Sequence, residues 1–291
     1  IIADIDIEAL RHDRLKNTNY TPITSHETTR IDCYIDFVTP DKMYRIFNPY
    51  PFIPSKEASD ESLSEVFNIQ THGLAKRLLH TGIEKVTIGI SGGLDSTLAL
   101  LVTVKTFDLL GLPRENIYGI TMPGFGTTGR TYGNAVALMK SLGVTVKEIS
   151  IVDAVMQHFK DIGHDANSHD VTYENSQARE RTQILMDYAN KIGGLVVGTG
   201  NMSELALGWA TYNGDHMSMY GVNTSVPKTL VATLVRWIAD TRTDEEASKN
   251  ILHDILDTPF SPELLPAGKD GEIAQKTEHF VGPYELHDFF L

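Results

Sequence analysis

The order of segments predicts an α/β domain built on a doubly wound, mostly parallel sheet flanked by helices, and three observations carry that reading. Short β-branched runs alternate with helix-length segments from Val86 onward. Two of those runs, Val86 to Ile90 and Gly194 to Gly198, end in glycine turns that lead into helix starts, where such sheets place their ligands. A chain of 291 residues, 41% apolar, can bury one large core with appended pieces rather than two equal domains.

Taken in order, Ile2 to Leu10 mixes alternation (Ile5, Ile7) with acids and turns charged through Lys16, so it reads as the end of a preceding element. Residues 17–60 carry Pro22, Pro40, Pro49, Pro51 and Pro54 among Ser, Thr and Asn, which marks a connector with one short strand, Ile31 to Phe37. From Glu61, apolar residues at Leu63, Val66, Phe67, Ile69, Leu74, Leu78 and Leu79 predict a helix, either continuous or broken near Gly73. Val86 to Ile90 predicts a strand buried on both faces, followed by a helix from Asp95 to Leu110. Strands over Ile117 to Met122 and Val144 to Ile149 then alternate with helices over Thr131 to Leu142 and Asp153 to Phe159. A polar loop over 161–173 precedes a long helix, Glu174 to Ile192, and the strand Gly194 to Gly198.

The turn Ser91-Gly92-Gly93-Leu94-Asp95-Ser96 carries the chemistry. Its glycines permit positive φ and close approach to the backbone, so successive N–H groups can converge on an anion at a helix start. The Walker A spacing and its lysine are missing, so this is not a P-loop. Asp95 is a candidate magnesium ligand, and the Ser91 and Ser96 hydroxyls add phosphate donors.

A competing motif lies at Pro123 to Thr131, where Gly124, Gly126 and Gly129 fit Gly-x-Gly-x-x-Gly and Glu148 ends the next strand. Alone it would suggest a dehydrogenase. It belongs to the second strand of the unit, however, whereas the dinucleotide fingerprint belongs to the first. The second cluster, Gly198 to Trp209, sets Thr199 and Glu204 at the mouth of the first loop, where Asp95 and Glu204 can share magnesium. The alternative for Glu204, less favoured, is a solvated acid in a first helical turn. Residues 210–226 read as a mobile lid ending at Pro227-Lys228, and a lysine at a helix start, where an acid is preferred, suits a phosphate partner.

Composition narrows the partners. A formal charge of −13 argues against nucleic acid or an acidic membrane surface, so any polyphosphate must be held locally. A single cysteine, Cys33, excludes an internal disulfide and suits a reducing compartment, and with no membrane-length segment or signal peptide we expect a cytoplasmic protein. The 11 histidines show no metal-ligand spacing. Both ends read as cut, since the chain begins Ile1-Ile2 and stops in Phe289-Phe290-Leu291.

The turn at Ser91 to Ser96 resembles the pyrophosphate loop of the ATP pyrophosphatases. With Met122 to Phe125, Glu174 to Arg179, Gly198 to Glu204, Gly208 to Tyr212 and Val226 to Lys228, it resembles NAD synthetase, within it the synthetase portion of the glutamine-dependent form. The match covers 61–291, and Pro51 to Pro54, Phe67 to Gln70, Gln275 to Glu278 and Gly282 to Asp288 resemble the family's interdomain segment and tail. The resemblance implies an adenine nucleotide alpha hydrolase-like fold. It divides the chain into a remnant of a glutaminase (nitrilase-like) domain at 1–16, an interdomain linker at 17–60, and a synthetase domain at 61–291 truncated at its C-terminal end.

The resemblance also implies ATP-dependent amidation of deamido-NAD through an adenylate, with magnesium and with ammonia as nitrogen donor, in a homodimer or larger homo-oligomer. Position by position, it gives Gly89, Ile90, Ser91, Gly92, Gly93, Leu94, Asp95 and Ser96 to ATP, with Thr199, Lys228 and Ser261 as further ATP contacts. Asp95 and Glu204 would hold magnesium. Asn175, Arg179, Glu204, Trp209, Ala210, Thr211, Tyr212 and Lys276 would bind deamido-NAD, and Asp215 would help orient ammonia. Arg179 reads equally as a member of a buried salt bridge. Cys33 lies outside any glutaminase motif, so free ammonia rather than glutamine is the expected donor for this chain. Another ATP pyrophosphatase, such as a GMP or asparagine synthetase relative, a dinucleotide-binding oxidoreductase on the Gly124 loop, and a fragment that binds nucleotide without turnover remain as alternatives.

Overall fold

The computed structural model describes residues 4–19, 29, 31, 32, 34, 43–127, 129–243, 245–258, 264 and 278–291. Cys33, most of the expected strand around it, Ser261 and Lys276 lie outside the described residues. The chain divides into two compact units, Ile1–Pro49 and Tyr50–Leu291.

In the first unit the alternation at Ile5 and Ile7 gives way to a helix, α1 (Ile7–Lys16). Asp6 accepts a hydrogen bond from the Ala9 N–H at 2.9 Å, and Glu8 opens the helix while Arg14 and Lys16 close it, as the helix dipole favours. None of its residues is buried. Local capping decides its conformation where no core can.

The second unit begins with a short 3-10 turn, Lys56–Ala58, and α2 (Ser59–Thr81), which runs unbroken past Gly73. A Cβ at Gly73 would stand 2.6 Å from the Tyr220 hydroxyl, so the glycine marks a close packing contact and not a break. Then follow β1 (Val86–Gly89), α3 (Leu94–Leu110), β2 (Ile117–Thr121), α4 (Gly129–Ser141), β3 (Thr145–Glu148), α5 (Val152–Ile162) and α6 (Val171–Ile192). They are followed by β4 (Leu195–Gly198), α7 (Met202–Leu207), β5 (Tyr220–Gly221), α8 (Lys228–Thr241), α9 (Glu246–Leu256), α10 (Glu278–Val281) and α11 (Tyr284–Phe290). The expected polar loop over 161–173 is shorter than its composition suggests, because Asp170 accepts from the Thr172 and Tyr173 N–H groups and starts α6 early.

The five strands pair in parallel in the order β3-β2-β1-β4-β5. Alternation sorts their side chains. Val86, Ile88, Leu195 and Val197 join a core with Leu98, Val102 and Leu234, whereas Ile120 joins Val155, Phe159 and Tyr173 in a second core. Thr87 and Gly89 turn toward α6, where the Thr87 hydroxyl donates to Leu185 O at 3.4 Å and a Cβ at Gly89 would meet the Leu185 side chain at 3.1 Å.

Helix α3 is buried along most of its length. Its apolar residues face the sheet on one side and α2 and α8 on the other, and its threonines donate back along the helix, Thr103 to Ala99 O at 2.7 Å and Thr106 to Val102 O at 2.8 Å. The buried Thr97 hydroxyl near the helix start has no such partner among the described residues. The chain passes from β1 to β2 in one direction and returns to β4 beside β1, so the strand order reverses between β1 and β4 and opens a crevice at their carboxyl ends.

The expected lid over 210–226 is only partly one. Tyr220–Gly221 is a strand of the sheet, and Val222, Asn223 and Val226 are buried, so the exposed connection ends near Met219. The sequence hides this because the strand is two residues long.

On the far edge, Asp254 of α9 accepts from Arg130 Nη2 at 2.7 Å and from Asn134 Nδ2 at 2.6 Å, tying α4 to α9. These bonds, Arg130's first, hold the Asp254 carboxyl below the usual carboxylate range. The stabilisation is therefore full above the ordinary aspartate pKa of about 4 and lost as pH falls through the depressed value. Asp254→Asn should cost less than about 1 kcal/mol at neutral pH, since the pair is half-exposed. In urea unfolding the gap between the two proteins should close on acidification.

Candidate active site

At the β1–β4 crevice the backbone comes first. The Ser91–Ser96 turn joins β1 to α3 with Gly92 at φ +90°. A Cβ there would stand 2.2 Å from the Thr131 carbonyl oxygen, so only glycine fits. Thr97 N–H already reaches Gly93 O at 3.0 Å, whereas the N–H groups of Leu94, Asp95 and Ser96 precede any intrahelical acceptor. Three amides at the positive end of a buried helix thus face the crevice mouth. Ser91 accepts from Gly93 N–H at 3.2 Å, its hydroxyl lies 3.3 Å from that of Ser96, and the Ser96 hydroxyl donates to Gly93 O at 3.0 Å, so both side chains brace the turn.

At the competing Gly124 loop the first two amides are already taken. Gly124 N–H donates to Thr127 Oγ1 at 3.0 Å and Phe125 N–H to Gln177 Oε1 at 3.3 Å, while Glu148 accepts the Tyr132 hydroxyl at 2.5 Å on the surface. The dinucleotide reading thus finds two of its loop amides and one oxygen of its ribose acceptor already engaged. The loop instead forms a wall of the cavity through Met122 and Thr127.

Opposite the turn, β4 delivers Thr199 and α7 delivers Glu204. Asn201 and Glu204 form a reciprocal capping box, which fixes the glutamate's backbone and side chain together. Asn201 Nδ2 also donates to Asp95 Oδ1 at 2.8 Å. Lys228, the first residue of α8, donates to Asp95 Oδ2 and reaches Glu204 Oε1 at 3.4 Å. Asp95, Glu204 and Lys228, from three helix starts, thus converge on one ammonium.

Burial, and after it the Asp95 charge, pushes the Glu204 carboxyl up to about 7 against the pull of Lys228. Burial alone would lower the Lys228 pKa, but the charges of Asp95 and Glu204 outweigh it, so the net shift is upward and the ammonium stays protonated. The cluster holds two acids against one base, all mostly buried, and its oxygens are the hard donors that magnesium takes. Among the described residues no group of three or more His, Cys, Asp or Glu could hold a metal, so a magnesium ion here would need further oxygens from phosphate and water.

A cavity of about 300 Å³ lies at this mouth, lined by the Ser91–Ser96 turn, Thr199, Glu204, Asp215 and Arg181. The other expected residues stand apart from it. Asn175 Oδ1 accepts the Thr211 hydroxyl at 2.8 Å, and Arg179 Nε donates to Tyr212 O at 3.0 Å, so α6 is pinned to the segment after α7. Arg179 is exposed and makes no buried salt bridge. Trp209 stacks on Phe280 at 6.4 Å, while Ala210 and Tyr212 are exposed. Asp215 accepts Thr211 N–H at 2.7 Å at the cavity edge.

Several supporting residues escaped the sequence reading. Asn223, fully buried, donates to Asp95 O at 2.9 Å and Thr199 O at 3.1 Å, while Gln70 of α2 donates to Asn223 Oδ1 at 3.0 Å. Arg181 donates from Nε to Met122 O at 3.2 Å and lines the cavity.

With the geometry established, comparison places the chain. The family model described as NAD synthase matches residues 66–276. The glutamine-dependent NAD(+) synthetase of Mycobacterium leprae is 42% identical over all of this chain and 44% of its own length, and that of Thermotoga maritima is 34% identical over 78% of this chain and 37% of its own. The chain therefore spans less than half the length of these curated relatives. Among solved structures, glutamine-dependent NAD+ synthetase from Acinetobacter baumannii in complex with ADP superposes with a TM-score of 0.62 at 27% identity, covering 69% of this chain and 36% of that one. NMN synthetase from Francisella tularensis gives 0.65 at 25% identity, covering 78% of this chain and 85% of that one. These neighbours share the ATP pyrophosphatase architecture of a parallel five-stranded sheet between helices. A phosphate-ready turn answered by Glu204 and Lys228 across a sheet reversal, together with a family match over most of the chain, leads to one assignment: the chain belongs to the NAD synthase family.

Proposed function

We propose that this chain is the synthetase portion of a glutamine-dependent NAD synthetase, converting deamido-NAD to NAD with ATP and ammonia and releasing AMP and pyrophosphate. One observation carries the reading: Asp95, inside the phosphate-ready turn, shares an ammonium with Glu204 of the neighbouring strand end. In the first half-reaction the nicotinate carboxylate attacks the α-phosphorus of ATP and the bond to the β-phosphate breaks. In the second, ammonia attacks the acyl carbon, the bond to AMP breaks and a proton is released.

The chain's residues mainly position and neutralise. The amides of Leu94 to Ser96, with the Ser91 and Ser96 hydroxyls, would hold the departing pyrophosphate, and Lys228 would turn to its charge. Thr199 would contact ATP, as would Ser261. Asp95 and Glu204 would hold magnesium, which when bound supplies charge neutralisation to the phosphates. Asn175, Arg179 and Trp209 to Tyr212 would take deamido-NAD, with Lys276 as a further contact, and Asp215 would orient ammonia. A preceding glutaminase domain, assembly as a homodimer or larger body, and a cytoplasmic location belong to the same reading. Among the described residues no helix is long and apolar enough to cross a membrane.

Incubation with deamido-NAD, ATP, magnesium and ammonium should yield NAD with AMP and pyrophosphate. ADP with phosphate would refute the pyrophosphate-loop chemistry. Because one neighbour is named an NMN synthetase, nicotinate mononucleotide is the acceptor to run beside deamido-NAD, and preference for it would reassign the substrate.

Asp95→Asn should abolish adenylation. Either orientation of the amide sets a donor against Asn201 Nδ2 or the Lys228 ammonium, so a stability loss of about 1–3 kcal/mol is expected in thermal melting, with the fold retained. Gly92→Ala forces the turn away from Thr131 and should weaken binding of a non-hydrolysable ATP analogue ~10-fold or more by calorimetry. Normal affinity would free the turn of its phosphate role.

A further inference from the structure

Lys228 is an awkward residue to begin a helix. The positive end of the α8 dipole disfavours its charge, and Pro227 before it offers no side-chain cap for the first N–H groups. The missing acceptors come from elsewhere. Lys228 N–H donates to Ser203 Oγ at 2.8 Å, and the Ser203 hydroxyl donates to Asp288 Oδ1. Asp288 Oδ2 accepts the Thr229 N–H at 2.8 Å and the Thr229 hydroxyl at 2.7 Å.

Asp288 sits on α11, is 2% exposed, and accepts three hydrogen bonds. One side chain thereby joins the start of α7, which bears Glu204, to the start of α8, which bears Lys228. Four residues earlier, on the same face of α11, the Tyr284 ring lies 5.5 Å from Lys228 Nζ, within cation–π reach. A buried α11 face is thus organised around a lysine sixty residues away in sequence.

The geometry points to Asp288 as a positioning residue for the triphosphate site: through Ser203 and Thr229 it fixes the first turn of α8 and so sets where the Lys228 ammonium meets the phosphates. It touches no reacting atom. This rests on the reading of Lys228 as a phosphate-neutralising residue. An anchoring role alone would stabilise α11 against α8 without favouring phosphate over the rest of the nucleotide.

Calorimetry on the 291-residue chain separates the two. The probes are a non-hydrolysable ATP analogue with magnesium, and adenosine, which lacks phosphate. Asp288→Asn should weaken the triphosphate analogue ~10-fold or more and leave adenosine within about twofold. In a Lys228→Met background the same change should add almost nothing, because the two substitutions act through one ammonium. Equal losses for both probes, or additive losses in the double variant, would overturn the inference and leave Asp288 an anchor.

Should Asp288→Asn fail to fold, Ser203→Ala cuts the link between Asp288 and Lys228 and carries the same comparison. None of these measurements needs turnover. A chain that binds the analogue with this pattern yet forms no NAD would sink the proposed reaction and keep the positioning role, whereas a parent chain that binds no triphosphate would sink both.

Discussion

One ammonium between two carboxylates is the constraint on which the structure turns. Lys228 is nearly buried, and Asp95 and Glu204 are each about a fifth exposed, so none of the three is well hydrated. A buried charge that loses its partner costs about 3–5 kcal/mol, and here the loss of Lys228 would leave two acids facing each other. Burial first, and the Asp95 charge after it, raise the Glu204 carboxyl even beside Lys228. Neutral amide donors support the cluster. Asn201 reaches Asp95, Asn223 holds the backbones of Asp95 and Thr199, and Gln70 holds Asn223. The site is therefore braced from α2, α7 and the β5 edge at once.

The two glycine-rich loops show how backbone bookkeeping discriminates between motifs that look alike. Both follow a strand and both precede a helix. At Ser91–Ser96 the helix begins at Leu94, leaving its first amides without intrahelical acceptors, and Gly92 is held by contact with Thr131. At the second loop the first two amides, those of Gly124 and Phe125, are spent on Thr127 and Gln177, and Gln177 is itself held by donation to Leu264 O at 2.8 Å. An anion can replace water at the first loop. At the second it would have to break protein hydrogen bonds, each worth about 0.5–1.5 kcal/mol net. The glycine pattern marks where a backbone can approach a ligand, but the local acceptors decide whether it does.

Most of the fold was legible because its strands and helices carry strong periodic signals. The four longer strands and helices α3 to α6 fall within a few residues of their sequence positions, since buried parallel strands are short apolar runs between turn residues, whereas α9, α10 and α11 were not read from the sequence. Tyr220–Gly221 was not legible, because a two-residue strand has no periodicity to read and its partner β4 lies more than twenty residues upstream. The helix at Ile7 was missed because capping by Asp6 outweighed a weak alternation. At the site, Asp95, Glu204 and Lys228 were readable from position at strand ends and helix starts, whereas Asp288 was not. Its role depends on a tertiary approach of α11 to α8 that no local pattern encodes. The oddity of a lysine at a helix start pointed outward to phosphate, and the same oddity pointed inward to a missing acid.

That double meaning follows from charge. The cavity is lined by Asp95, Glu204 and Asp215 and by one base, Arg181, with Lys228 bound to two of the acids, in a chain of net charge −13. Bare polyphosphate would be repelled by such a wall, so a nucleotide can settle there only with cations that answer both its own oxygens and the protein's. Under the proposed function Asp95 and Glu204 would hold magnesium, which would supply that charge neutralisation, and the Lys228 ammonium would then turn from the acids to the anion. For that exchange the lysine must be held by its backbone rather than by the acids it leaves. Ser203 and Asp288 hold it there, binding the peptide N–H groups at the start of α8 and leaving the side chain free to change partners.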